Sequence, residues 1–318
     1  MVDITEVGEN IFLIDSHLYS IPQWGSVYLV NETKKALIDT GPATSANVVL
    51  DGIRRVGVRP QDIDYIIVTH IHLDHAGGAG VLIPEMPRAQ VVVHYRGTRH
   101  LVDPVRLINS VIEAQGEAVM AREGEVLPID AVKVKPVYDG DEIKLGEKQV
   151  LKVIEAPGHA PHELCIKESR NNGIFTGDAV GIYVAGVLLP ATAPPNFDLE
   201  LWENSIKKLI KLEADRLYFG HFGVADKAQM ILQLAVEKLR NWGETVSAAV
   251  AEGGADHAAD RLIAQVRAEL RPIRETKSRY EYVANVEMPL SVRGYIKYYQ
   301  EKHEAEPTRG RNREGNRK

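Results

Sequence analysis

The sequence is short of the features that mark a secreted or membrane-bound chain. Its 318 residues contain one cysteine, so no internal disulfide can form. No run of about 18 apolar residues is present to span a bilayer. The N-terminal stretch MVDITEVGENIFLID lacks a basic start followed by an apolar segment, so no secretory signal is recognisable. These absences together give an expectation of a cytoplasmic location. Positive charge is in deficit too. The 38 Lys and Arg residues face 44 Asp and Glu, and a net charge of −6 gives no overall field to draw in nucleic acid or an anionic membrane. The lone thiol, Cys165, lies in HELCIKE, which alternates like a strand. It reads as a small core residue, since a nucleophilic thiol needs a basic partner at hand. No internal repeat of fixed period is present.

What is there describes a globular protein. Apolar residues make up 44% and charged residues 26%, and the length suits one large layered domain or a domain with an extension. Short runs rich in Val, Ile, Leu and Tyr (IFLID, SVYLV, KKALIDTG, YIIV, AQVVVHY) read as strands. VVLDGIRRVGV between them has helical spacing, and this alternation predicts a layered α/β core. Residues 96–127 break the alternation and read as an inserted helical cap over one end of the sheet. Strands resume through VKVKPVY, KQVLKVIEAPG, ELCIKE and GIFTGD, with a hairpin signal at Asn171-Asn172-Gly173. Residues 1–223 form the catalytic unit on this reading. Residues 224–303 turn helical, with one apolar stripe from Ala228 through Leu239 and Trp242 to Ala249. That stripe needs a partner, either the core or a second subunit in a homodimer. Residues 304–318 carry no large apolar anchor and are expected to be a disordered basic tail.

The chemistry concentrates in THIHLDHAGG. His70, His72, Asp74 and His75 crowd into six positions directly after the apolar run YIIV. Imidazole nitrogens and carboxylate oxygens bind borderline divalent metals. Alternate residues on extended backbone share a side, so His70 and His72 can converge on one ion. Asp74 and His75 are adjacent and point apart, which suggests a second ion nearby. The glycines Gly77 and Gly78 would be costly in an ordinary helix, so close backbone approach is expected there. Three further strand ends each place a candidate ligand behind a glycine: Gly158-His159, Gly177-Asp178 and Gly220-His221. One site would then use His70, His72 and His159, the other Asp74, His75 and His221, with Asp178 bridging. A water held between two such ions loses a proton near neutral pH and becomes a nucleophile. The nitrogen and oxygen donor set suits two divalent ions, with zinc as first choice and iron or manganese as alternatives.

This order of motifs, H-x-H-x-D-H with Gly-Gly, then P-G-H, G-D and F-G-H, resembles the metallo-β-lactamase fold hydrolase superfamily over roughly residues 5–223. The resemblance implies a four-layer αββα sandwich, with the helical stretch as a C-terminal extension. It places the ligand at His159 rather than at His162, its neighbour in PGHAPH, and gives Asp39 of LIDTG a supporting role behind a metal histidine or the loop backbone. Some lactonases of this fold carry a tyrosine three residues after the bridging aspartate. That position here is Gly181, and Tyr183 follows two residues later as a candidate to polarise a carbonyl. Asp74 is the candidate to pass a proton to the leaving group. His17, His94, His100, His257 and His303 read as ordinary structural or surface histidines.

The expected activity is dinuclear metal-dependent hydrolysis of a lactone, ester or thioester, a small-molecule substrate, with YVAGVLLPATAPPNF as an apolar wall. A phosphodiesterase of the same fold is the alternative, although no long basic arm is present. An iron-dependent oxidoreductase of the sulfur dioxygenase type is a further one. The flavodiiron branch is disfavoured because His72 stands where those relatives have glutamate.

Overall fold

The two-sided burial of the strands decides how the layers stack. A computed structural model describes residues 2–314, with side chains up to Lys302. The strands are β1 (Ile4–Gly8), β2 (Ile11–Asp15), β3 (Ser26–Asn31), β4 (Lys35–Ile38), β5 (Ile63–Ile67), β6 (Gln90–His94), β7 (Val134–Val137), β8 (Glu142–Lys144), β9 (Val150–Glu155), β10 (Leu164–Glu168), β11 (Gly173–Phe175), β12 (Ile182–Val184), β13 (Val187–Leu189), β14 (Arg216–Tyr218) and β15 (Val224–Ala225). The helices are α1 (Ala46–Arg55), α2 (Leu73–Ala76), α3 (Ala79–Leu82), α4 (Thr98–Val102), α5 (Val105–Gln115), α6 (Met120–Glu123), α7 (Leu199–Ile210), α8 (Ala228–Val266), α9 (Lys277–Tyr282) and α10 (Met288–Glu314).

Strands β1 to β7 form one sheet in sequence order, antiparallel up to β4 and parallel from there on. The parallel half needs crossovers, and α1, α3 and the α4–α6 segment lie in them. The second sheet has the order β15-β14-β11-β10-β9-β8, and β12 and β13 form a separate hairpin. The turn at 171–173 joins β10 to β11, with Asn172 at φ 50°.

Side-chain alternation separates three apolar layers. Val91 and Val93 of β6 face Val49 and Ile53 of α1, while Val92 between them faces the other sheet. Leu13, Tyr28 and Val92 meet Val153, Ile166 and Phe175 between the sheets. On the far side Cys165 and Ile174 pack under Trp202 and Leu209 of α7. Each fully buried Leu or Ile in these layers contributes on the order of 2 kcal/mol. The stacking is helix, sheet, sheet, helix.

The C-terminal helices join the last of these layers. Leu232, Trp242 and Val246 of α8 share an apolar cluster with α7 and with Tyr295 of α10. Gly254, at φ 83°, breaks α8 into two arms that fold as a bent hairpin. Arg279 of α9 donates to the carbonyl of Pro22 at 2.8 Å and to Gln23 Oε1 at 3.3 Å. The helices thus pack on the sandwich within the chain. The segment expected as a basic tail, 304–318, has its side chains outside the described residues, and 315–318 lie outside altogether. No helix among the described residues is long and apolar enough to cross a membrane.

Candidate metal centre

The strand ends meet along one edge of the sandwich. The chain leaves β5 through a bend at Thr69-His70, and His72 at ψ 147° turns it into α2. Asp74 and His75 sit on that one short helix. Gly78 follows where space ends: its N–H donates to the Gly41 carbonyl at 2.8 Å, and a Cβ there would meet three carbonyl oxygens of residues 40–42 at 3.1–3.2 Å. Gly177, at φ 49°, lets the chain swing Asp178 inward, and a Cβ there would lie 2.4 Å from Glu163 Oε1.

Two sets of donors converge. His72 Nδ1 lies 3.0 Å from His70 Nε2 and 2.9 Å from His159 Nε2. His221 Nε2 lies 3.3 Å from His75 Nε2 and 3.3 Å from Asp74 Oδ2. Asp178 stands between the sets. Its Oδ1 is 3.4 Å from His75 Nε2 and 3.6 Å from His221 Nε2, and its Oδ2 is 3.5 Å from His159 Nε2. In each of the groups His70–His72–His159, His70–His75–Asp178 and Asp74–His75–His221, one donor atom per residue lies within 4.8 Å of the others. Asp178 Oδ1 is buried without a hydrogen-bond partner, which is costly unless a cation takes its lone pairs. This orphan oxygen, and imidazole nitrogens packed face to face, fit divalent metal.

A second layer of groups fixes the histidines. His159 Nδ1–H donates to the Ala191 carbonyl at 2.7 Å and His221 Nδ1–H to that of Trp24 at 3.3 Å, leaving each Nε2 lone pair turned inward. His75 Nδ1–H donates to Asp39 Oδ2 at 2.9 Å, and the Thr69 N–H donates to Asp39 Oδ1 at 2.7 Å. Asp39 therefore holds both a histidine and the loop backbone. Glu163 supports the other side: its Oε2 is 3.3 Å from His70 Nδ1 and its Oε1 accepts from the Asp178 N–H at 3.1 Å. The sequence reading missed Glu163. A signal existed, because Glu163 alternates in register with the buried Cys165.

Electrostatics divide along the same line. Burial pushes His70 well below the usual imidazole range, with His75 and other histidines adding to it, and burial with His159 pushes His72 down to about 3. Both are neutral at pH 7, as ligation requires. For His75 and His221 burial also works downward, but Asp178 outweighs it with help from Asp74. His75 is held well above its ordinary value and His221 rises to about 9. Burial opposes ionisation of Asp178, yet His221, His75 and His159 together hold its carboxyl below the usual range. The carboxylate side of the centre demands positive charge.

A cleft of about 410 Å³ opens onto the donors. His72, Asp74, His159, Asp178 and His221 line its floor, while Leu107, Val111 and Ala114 of α5 form an apolar wall. His162 and His100 also line it, and His162 Nδ1 accepts weakly from the Ile71 N–H at 3.5 Å. Tyr183 is a correction. The alternation of β12 turns Ile182 to the cleft, and the Tyr183 ring stacks instead on Phe219 with centroids 4.9 Å apart. The aromatic side chains that do reach the cleft are Tyr19 and Tyr282, from segments with no motif.

The model of the metallo-β-lactamase superfamily matches residues 24–221. The chain belongs to this superfamily. A metallo-β-lactamase fold-containing protein of Sulfurisphaera tokodaii is 30% identical over 221 residues, which is 68% of this chain and 80% of that one. Its crystal structure, with the source named as Sulfolobus tokodaii, superposes with a TM-score of 0.63 at 26% identity, over 84% of this chain and 99% of that chain. An N-acyl homoserine lactonase of a Bacillus species is 25% identical over 70% of this chain and 88% of its own. An acyl-coenzyme A thioesterase of Bos taurus is 26% identical over 55% of this chain and 64% of its own. With its family and its clustered His and Asp donors, this superfamily member is a metal-dependent hydrolase.

Proposed function

We propose that the chain hydrolyses a lactone, ester or thioester with two divalent metal ions, zinc first among the candidates. The observation that carries this reading is Asp178, which presents one oxygen to His75 and His221 and the other to His159. His70, His72 and His159 would hold one ion and Asp74, His75 and His221 the other. Metal in these places supplies Lewis acidity, activating water and stabilising negative charge on a substrate oxygen.

The rest of the chemistry falls to the chain. The Ala191 and Trp24 carbonyls keep two ring nitrogens aimed inward. Asp74 enters the reaction ionised, since His75 and His221 outweigh burial and hold it below the usual range, and its side chain remains 22% exposed to the cleft. It is placed to take a proton and return it to the leaving group. The α5 wall shields an acyl chain from water. The lactonase and thioesterase among the relatives support acyl substrates.

The test is metal analysis of the purified protein with a panel of lactones, thioesters and phosphodiesters. Two ions per chain and turnover of an acyl substrate are expected. Turnover of phosphodiesters alone would replace the substrate class. A single iron per chain with no hydrolysis would move the reading to a sulfur dioxygenase-like oxidoreductase.

A further inference from the structure

The cleft wall that faces the metal donors comes from three distant segments. The first is the loop 17–23, where His17, Tyr19, Ser20 and Gln23 all have φ between 49° and 62°. Such left-handed non-glycine residues cost energy and tend to gather where a side chain must be aimed. The second is α6, which ends in Glu123. The third is the end of α9 and the π-helical segment Val283–Glu287 that continues into α10, which bring Tyr282 and Glu287 to the cleft.

Glu123 is only 3% exposed. Its side chain lines the cleft and its Oε1 accepts from the Tyr19 hydroxyl at 2.5 Å, but its Oε2 is buried with no hydrogen-bond partner. A buried carboxylate oxygen left alone is unfavourable by more than a typical hydrogen bond is worth. Burial, reinforced by Asp74, pushes the carboxyl up to about 8. Glu287, on the same wall, rises to about 7 through burial, with Asp74 and Asp178 adding to it. Among the described residues no cation pairs with either. Arg122 lies instead over the Tyr19 and Tyr282 rings, 5.0 and 5.7 Å from their centroids. This end of the cleft offers two carboxyls, one unpartnered oxygen and two aromatic rings that carry the Arg122 guanidinium.

We propose that Glu123, oriented by Tyr19, is the acceptor of a recognition subsite for a positively charged nitrogen on the substrate. An ammonium donates to the unpartnered oxygen and stabilises both carboxyls in their ionised form. A neutral acyl group leaves Oε2 unpaired, and an anion is repelled. The subsite deepens the acyl-hydrolase reading and rests on it for its activity arm, but its binding arm does not.

The binding arm titrates the purified, metal-loaded protein with hexylammonium and with hexanol by calorimetry, for wild type and Glu123→Gln. The glutamine keeps an oxygen for the Tyr19 hydroxyl and removes the charge. Hexylammonium should bind wild type at least about tenfold more tightly than Glu123→Gln, and hexanol should not distinguish them. Equal binding of hexylammonium to both proteins overturns the subsite, and would show that the amine sits elsewhere, for instance on metal. The activity arm compares phenyl 2-aminohexanoate with phenyl hexanoate. A preference in kcat/KM for the amino ester that collapses in Glu123→Gln is expected. A preference that persists in the variant overturns the subsite, and so does its absence in wild type. If neither ester is turned over, the acyl-hydrolase reading falls and the calorimetry alone decides the subsite.

Discussion

The two walls of one cleft are built on opposite plans. The donor wall comes largely from strand ends of the sandwich, and His75, His159 and His221 each have Nδ1 held by a carboxylate or a carbonyl. The facing wall comes from a strained loop, a short helix and a π-helical segment, and its Glu123 keeps one oxygen unpartnered. Held ring nitrogens make a rigid wall suited to fixed chemistry. Open partners make a wall that waits for a ligand, where specificity can change without disturbing the reaction.

Substitutions on the two walls should therefore fail differently. Asp178→Asn strikes both donor sets at once. Metal content should fall at both sites, with kcat/KM down about a thousandfold, and loss of a single ion would show that Asp178 does not bridge. Asp39→Asn leaves every ligand in place but weakens the hold on His75. Metal affinity should drop about 10–100-fold in a chelator competition, and an unchanged affinity would make Asp39 a purely structural residue.

Glu123→Gln probes the open wall through stability. The carboxyl is raised in the folded state, from 4.5 to about 8. Its contribution is thus complete below about pH 4.5 and is lost as pH rises through 8, because the folded state binds the extra proton in that window. Urea unfolding of wild type should weaken by about 2 kcal/mol between pH 6 and pH 9, and the variant should lose most of that slope. Equal slopes would mean that Glu123 does not carry the effect. Tyr183→Phe should do least. Its ring stays on Phe219, and kcat/KM should stay within about twofold; a larger loss would return the hydroxyl to the reaction.

The gathering of the His and Asp donors was legible in the sequence because they follow local rules. Alternation after YIIV brought His70 and His72 together, and a glycine before each later ligand marked the strand ends. A layered α/β core followed from the same periodicity, and the four-layer αββα stacking from the resemblance to the superfamily. Tyr183 lies two residues beyond the family position, which is Gly181 here, and its ring packs on Phe219 instead. Tyr19, Glu123, Tyr282 and Glu287 left no trace. Their meeting depends on how a bent helical hairpin lies across the sandwich, which is a matter of long-range packing rather than of pattern.

The guanidinium of Arg279 grips the carbonyl of Pro22, two residues before the tryptophan whose own carbonyl steadies His221. Tyr282, three residues further along, leans on that same indole with centroids 5.4 Å apart. The carboxy-terminal third of the polypeptide thus acts as a buttress for a ligand that precedes it in the chain. A graft that exchanged those helices for a relative's would have to carry residues 22–24 along with them, or the imidazole at 221 would lose its footing.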